Sequence, residues 1–491
     1  MQIEYIYRDQ YHNHINIAEL LMTQTIPEDQ IAGIEQVICP MEVKKLIRLL
    51  VIADDLTGAL DTGIQFGSRA ALVKLYTYRQ AVDIFENIPD HIEVLIIDTE
   101  TRHSDCRTAY ERIYRLVGQA KRQKISCIYK KTDSGMRGNI GSELSAALMA
   151  SGGDCIHFVP AFPQIGRTTE DGIQYIDGVP VAESVFGRDP FEPVRHSQIR
   201  DIVGEQCATE CHVLNEAAEG GGYKGILLYN CKTQDDLQKI AKDLKRYHPS
   251  DLLAGCAGFA AVLPEMVGIR SVAGQRPGLC RKLLVVCGSL NPVSLRQMDA
   301  AEKNGALRVK LSNRQKLKKD FFDTEEGMRF VKDIALKIQE YRCAMIESTD
   351  MEGEESSASY ALSQGMEAEE IRHRISENLG MMLRRLLEEH VNYTIFITGG
   401  DTLLSFMENI GLDKLSPICE LYPGVVLSGI EYNGTMYHLI SKSGGFGNEN
   451  LLLDIQKIIN AKEEKDEETG CGDIDGRSVW KWTGNLSKSL V

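Results

Sequence analysis

The sequence has no apolar run near the roughly 20 residues a membrane-spanning helix needs. Its opening, MQIEYIYRDQYHNHINIAELL, has early acids and no long apolar core, so no signal peptide is expected. Positive charge is in deficit: 55 Lys and Arg stand against 70 Asp and Glu, a net charge of −15. A general nucleic-acid binder needs a basic face, so that class is set aside. A local cluster of Lys and Arg in an acidic protein still suits a small anion. The 13 cysteines contain no CxxC pair, the closest two being Cys207 and Cys211. Reduced thiols in a cytoplasmic protein are the expectation. The 11 histidines are dispersed. No metal-ligand set is expected, His12 and His14 included.

What is present is the composition of a globular chain, 43% hydrophobic and 25% charged. At 491 residues it exceeds one ordinary core, so two domains are expected. Residues 1–45 read as a short helical preface. From Leu46 the pattern alternates: apolar strands such as LLVIA and VLIID, amphipathic helices such as RTAYERIYRLVGQAKRQ. That rhythm implies an α/β fold, two domains with mainly parallel sheets and the active site in the interdomain cleft. The first domain is placed at 46–270 and the second at 280–458, separated by the Gly/Pro/basic stretch GIRSVAGQRPGLCRK. Residues 314–390 read as a charged, helical region. Asn433-Gly434 marks a hairpin turn. The tail, 459–491, has little periodicity and is expected to be mobile.

Ligands of parallel α/β sheets gather beyond the carboxyl ends of the strands. In the first half these loops carry charged pairs of both signs. Asp54 and Asp55 end the strand LLVIA, and Arg102, Lys130, Lys131, Asp133, Arg137 and Arg167 follow in later loops. Cations of this kind hold a carboxylate or phosphate, Arg bidentately. The carboxylates suit hydroxyl groups, or a proton taken from one. Asp55 or Thr57 also suits an ordinary helix N-cap, but two adjacent acids exceed what a cap needs. The second half instead has glycine turns at helix starts: CGSLNPVS, TGGDT and KSGGFGN. Unpaired N–H groups there suit phosphate. There is no GxxxxGK[ST] loop and no GxGxxG with a following acid. A site for a hydroxy acid and a site for a nucleotide together suggest a kinase.

Five separated motifs, in order, carry a resemblance: IADDLTGALDTG, KKTDSGMRGNIGSEL, PAFPQIGRTTEDGIQYIDGVPVAES, TGGDT and ISKSGGFGNENLL. Together they resemble the four-carbon acid sugar kinase family over about 46–458. That resemblance implies ATP-dependent phosphorylation of threonate, erythronate or 3-oxo-tetronate. It also implies an N-terminal acid-sugar domain, a C-terminal nucleotide domain, Mg²⁺, and a dehydrogenase acting downstream on the phosphorylated acid. It assigns Asp54 and Asp55 to the sugar-acid site, as orienting group and general base in an order left open. Lys131, Asp133, Ser134, Arg137 and Asn139 fall to the same site, with Arg102 as a further substrate contact. Ser289, Thr398, Gly399, Gly400, Asp401, Gly444 and Gly445 fall on the ATP side. One departure stands out: where the family commonly reads DSTLRGN, this chain has DSGMRGN, with Gly135 and Met136.

The expected partner is a small sugar acid, with no nucleic acid, no membrane, and a homodimer left open. Two alternatives remain at this level. One is a kinase for another small hydroxy acid. The other is a sensor that binds sugar acid and nucleotide without turnover. Phosphatases with an aspartyl nucleophile need Asp-x-Asp spacing, which Asp54-Asp55 lacks.

Overall fold

The computed structural model describes residues 6–8, 14–16, 47–66, 73–78, 85, 92–189, 193–216, 222–247, 252–269, 278–412, 414–422, 424–442 and 445–460. Two compact units emerge, Met1–Lys45 and Leu46–Val491. In the first, β1 (Ile6–Arg8) pairs antiparallel with β2 (His14–Asn16). These six residues correct the helical reading of the preface. Ile and Tyr are frequent around them, and such residues favour an extended backbone. The rest of the preface lies outside the described residues, as do the boundary residues 270–277 and the tail from 461.

The second unit is built on one large sheet. Its first half supplies β3 (Leu49–Ala53), β4 (Val73–Thr77), β5 (Val94–Asp98), β6 (Cys127–Lys131) and β7 (Cys155–Val159). A small antiparallel sheet follows, β8 (Arg167–Glu170), β9 (Ile173–Ile176) and β10 (Val179–Pro180). Its two turns are Asp-Gly pairs with both residues at positive φ, the type I′ geometry that matches strand twist. The large sheet resumes with β11 (Cys211–Leu214), β12 (Gly225–Tyr229) and β13 (Leu252–Gly255). The second half adds β14 (Leu283–Cys287), β15 (Leu307–Lys310), β16 (Cys343–Glu347), β17 (Thr394–Thr398), β18 (Lys414–Tyr422), β19 (Val425–Tyr432) and β20 (Thr435–Lys442).

The order across this sheet is β11-β12-β7-β13-β6-β3-β5-β4-β18-β19-β20-β17-β14-β16-β15. All pairs are parallel except those that β18 makes with β4 and β19, and β19 with β20. The mainly parallel expectation therefore holds, but the halves are not separate sheets. Strand β18 pairs Leu415 with Leu75 and Lys414 with Tyr76, so an antiparallel meander joins the edges of both. Lys74 Nζ donates to Ser416 Oγ across the joint at 2.6 Å. One apolar cluster runs through it, with Leu60, Leu75 and Ile96 beside Leu415 and Val426. Such an arrangement removes two exposed sheet edges. The turn of β19 and β20 is Asn433-Gly434, both at positive φ, as expected.

The charged region 314–390 contains helices Glu325–Ile338 and Ala368–Glu388, but also the strand β16, which the helical reading missed. CAMIE is fully buried between β14 and β15. Its five residues are too short for helical periodicity to register, and a parallel strand buried on both faces has no alternation.

Candidate active site

The parallel strands end on the same side, and their order places the loops. β3 lies between β5 and β6, with Ala53 level with both Asp98 and Lys131. So the residues after Ala53 face those after Asp98 on one side and Lys131 on the other.

Asp55 caps the helix Leu56–Gly63. Its Oδ1 accepts from the Gly58 N–H at 2.9 Å, and its Oδ2 accepts from Thr57 Oγ1 at 2.7 Å. The capping role is therefore real, and it is not the whole role. Arg102 grips both acids: Nε donates to Asp54 Oδ2 at 2.9 Å, Nη1 to Asp55 Oδ2 at 2.5 Å and Nη2 to Asp55 Oδ1 at 2.7 Å. The Arg102 backbone is held as well, its N–H donating to the Asp54 carbonyl at 3.1 Å. Asp54 is buried and Asp55 half-buried. Burial alone would raise the Asp54 carboxyl, but Arg102, Lys131 and Lys130 outweigh it and hold it below the usual carboxylate range. Asp133 behaves alike: burial opposes, while Arg137 and Arg102 hold it well below that range. Arg137 Nε and Nη2 donate to Asp133 at 2.8 and 3.1 Å.

Adjacent lysines divide by strand alternation. Lys130 points to the far face, where it pairs with buried Glu143 at 2.9 Å. Lys131 points to the site. Its side chain is only 4% exposed. Among the described residues its ammonium makes no ion pair or hydrogen bond. It lies over the first turn of the helix Leu56–Gly63, so close that a Cβ on Gly58 would stand 2.6 Å from Nζ.

These side chains line one cavity, open to solvent. The first half contributes Asp55, Thr57, Asp61, Arg102, Lys131, Asp133, Ser134, Arg137, Arg167 and Phe186, and the second half Val426, Ser441, Lys442 and Phe446. Two of the residues expected on the sugar-acid side stand apart. Asp54 sits behind Arg102. Asn139 is turned away, its Nδ2 donating to the Thr101 and Ser104 carbonyls at 2.8 and 2.7 Å, which fixes the loop that carries Arg102. Phe186 was missed in sequence. Arg137 and Arg167 lie over its ring, 5.0 and 5.6 Å from the centroid. A Cβ on Gly135 would stand 2.8 Å from that ring. The glycine of the DSGMRGN departure is thus the space that Phe186 occupies. Met136 is buried with φ 64, a conformation unusual for a residue with a side chain.

On the second half, the three glycine turns converge. The helix Gly400–Asn409 begins at Gly399, whose φ of 110 only glycine adopts readily, with no side-chain cap. Its first N–H groups are of the kind that receives an anion. A Cβ on Gly399 would stand 3.8 Å from Ser289 N, so TGGDT and CGSLNPVS adjoin. Thr398 ends β17 and is buried. Asp401 is half exposed, 3.4 Å from Arg372. A Cβ on Gly445 would lie 3.7 Å from Asn291 Nδ2, while Gly444 lies outside the described residues. None of Ser289, Thr398, Gly399, Gly400, Asp401 and Gly445 lines the cavity itself. Lys442 does: its Nζ donates to Ser294 Oγ at 3.1 Å and to the Phe446 carbonyl at 3.3 Å. Burial pulls its ammonium down to about 8. Lys442 opens the KSGGFGN run, whose local pattern carries no sign that its ammonium faces the cavity.

Among the described residues, no group of three or more His, Cys, Asp or Glu could hold a metal. No helix among them is long and apolar enough to cross a membrane. The eleven described cysteines are free thiols.

Comparison with known proteins accounts for both halves. A family model described as "Sugar-binding N-terminal domain" matches residues 49–263, and one described as "Nucleotide-binding C-terminal domain" matches residues 284–452. The chain is 28% identical over 442 residues to a D-threonate kinase of Salmonella typhimurium, covering 87% of this chain and 100% of that one. It is 26% identical to a D-erythronate kinase of Heliobacterium modesticaldum, covering 82% and 94%. It is 24% identical to a 3-oxo-tetronate kinase of Brucella melitensis, covering 85% and 97%. A solved structure from Salmonella typhimurium LT2 shares the fold with a TM-score of 0.66 at 20% identity, covering 84% of this chain and 99% of that one. A Haemophilus influenzae structure does so with a TM-score of 0.60 at 19% identity, covering 84% and 100%.

Proposed function

This chain belongs to the four-carbon acid sugar kinase family, and on that premise we propose that it transfers the γ-phosphoryl group of ATP to a hydroxyl of a four-carbon sugar acid. Threonate, erythronate and 3-oxo-tetronate are the candidate acids. The observation that carries the reading is Lys131. A buried ammonium with no ion pair or hydrogen bond among the described residues, opening on a cavity walled by both halves, suits an anion. The substrate carboxylate supplies that charge.

In this reading Lys131 and Arg137 hold the carboxylate, the lysine as a point charge and the arginine through its remaining N–H groups, since Nε and Nη2 already donate to Asp133. Asp133 and Asp55 present oxygens toward the substrate hydroxyls, and Ser134 adds a hydroxyl of its own. Arg102 ties Asp54 and Asp55 into one rigid unit, so the cavity wall is set before substrate arrives. ATP lies along the glycine turns at Ser289, Thr398–Asp401 and Gly444–Gly445. Lys442 is placed between that ground and the sugar-acid wall, where a γ-phosphate would lie. Mg²⁺ enters as part of the MgATP substrate, and the described residues offer it no protein cage.

The test is the mass of the product. Incubation with MgATP and each four-carbon acid should yield an acid heavier by one phosphoryl group. Unchanged acids across the set, from protein that binds ATP, would contradict the proposal.

A further inference from the structure

The helix Leu56–Gly63 presents Thr57, Gly58 and Asp61 to the cavity, residues that helical spacing stacks on one face. Leu56, Ala59 and Leu60 face the core instead. Among these, Asp61 has no structural task in view. Its Oδ1 is buried and has no hydrogen-bond partner among the described residues. In contrast, Asp55 is held by Arg102, Thr57 and the Gly58 N–H, and Asp133 by Arg137. Asp54 is also paired and does not reach the cavity.

Among the described residues, four titratable groups interact with the Asp61 carboxyl from the elements around it. Lys131 comes from the end of β6, Asp55 from the cap of its own helix, Glu420 from β18 and Cys256 from the turn after β13. Burial raises the Asp61 carboxyl, Lys131 offsets part of that rise, and Glu420 and Asp55 add to it, leaving it at about 7. A carboxylate poised there gives up and takes up protons at working pH. Asp54 and Asp133, held below the usual range by their arginines, are poor proton acceptors by comparison.

Building on the kinase reading above, we propose that Asp61 is the catalytic base of the transfer. The reacting hydroxyl of the sugar acid hydrogen-bonds to the Asp61 carboxylate in the cavity, beside Lys131. As the hydroxyl oxygen bonds to the γ-phosphorus, its O–H bond breaks and the proton passes to Asp61. The bond from the γ-phosphorus to the bridging oxygen breaks in the same transfer, and its electron pair leaves with ADP. Asp61 then returns the proton to water through the open mouth of the cavity. Asp55 and Arg102 act here as positioning residues.

The test compares the pH profiles of the wild-type enzyme and Asp61→Asn on whichever four-carbon acid the wild type phosphorylates. General-base catalysis is typically worth about 10²–10⁴-fold, so Asp61→Asn should lose kcat by that order. KM for the acid and for ATP should stay within about threefold, since binding rests on other groups. The wild-type kcat/KM should climb with pH to a plateau above about 7, and that limb should vanish in the variant. Asp61→Asn removes a negative charge that burial, Glu420 and Asp55 disfavour, so its Tm at pH 8 should equal or exceed that of the wild type. Loss of activity would then not be misfolding. Asp61→Asn with wild-type kcat and an unchanged acid limb would overturn the assignment alone. A wild type inert on every acid would overturn the kinase reading, and the assignment with it.

Discussion

Thr57 and Gly400 meet across the joint of the two halves: a Cβ on Gly400 would lie 3.5 Å from Thr57 Cγ2 and 3.8 Å from its Oγ1. The first turns of the helices Leu56–Gly63 and Gly400–Asn409 thus face each other, one beside the sugar-acid wall and one beside the nucleotide turns. A methyl group fits at that distance; a larger side chain does not. Gly400→Ala should keep most of the activity. Gly400→Leu should shift the two halves by about an ångström and lose on the order of 100-fold in kcat, because transfer depends on alignment. Steady-state kinetics of the two variants would check this.

Lys131 carries the charge argument. A charged hydrogen bond is worth about 1.5–3 kcal/mol, so Lys131→Met should raise KM for the sugar acid by roughly 10- to 150-fold and leave KM for ATP nearly unchanged. Gly58→Ala should act in the same direction more weakly. Its Cβ would stand 2.6 Å from Lys131 Nζ and 2.5 Å from Asp55 Oδ1, so both must give way. Equal changes in both KM values would move Lys131 off the sugar-acid side.

Gly135 and Phe186 should behave as a pair. Gly135→Thr places a side chain against the Phe186 ring, which forms part of the cavity wall with Arg137 and Arg167. The single variant should lose about tenfold or more in kcat/KM for the acid, and adding Phe186→Ala should recover a large part of that loss. Residues in direct contact couple in this way by about 0.5–3 kcal/mol. Strict additivity in a double-mutant cycle would break the link.

On the proposed function, Lys442 should give the nucleotide side its own pH dependence. Burial lowers its ammonium to about 8, so the charge is present below that pH and is lost as pH rises through it. KM for ATP should therefore climb between pH 7 and pH 9 in the wild type. In Lys442→Met it should already be raised at pH 7 and stay flat. A parallel climb in both would assign the effect to another group.

Asp133 should show in acid unfolding. Its carboxyl is held below its ordinary value, so it contributes stability above about pH 4, which is lost as pH falls through the folded value. Urea titrations at pH 6 and pH 3 should show the wild type losing more stability than Asp133→Asn over that interval.

Much of this site was legible in the sequence because the loops of a parallel sheet collect at its carboxyl edge. Asp55, Arg102, Lys131, Asp133, Ser134 and Arg137 follow strand ends and meet in one cavity. Asp54 and Asn139 were drawn in by their motifs, yet their side chains serve Arg102 and its loop. Asp61 carries a signal, its spacing from Thr57 and Gly58 on one helix face, but a single acid at that spacing is also the pattern of an ordinary solvated face. Phe186 and Lys442 depend on long-range folding and left little local trace. The joint at β18 was hidden for the same reason: nothing within KLSPICELY says that its partner is a strand some 340 residues earlier. The strand β16 was lost to its charged surroundings.

The most direct measurement is coupled ADP release with MgATP across D- and L-threonate, D- and L-erythronate, the 3-oxo-tetronates, and longer acids such as gluconate, with erythritol as the uncharged control. Turnover on a four-carbon acid, absent with erythritol and weakened in KM by Lys131→Met, is the expected result. Turnover on erythritol at the same rate, or no ADP release with any acid, would contradict a kinase whose cavity is built around a carboxylate.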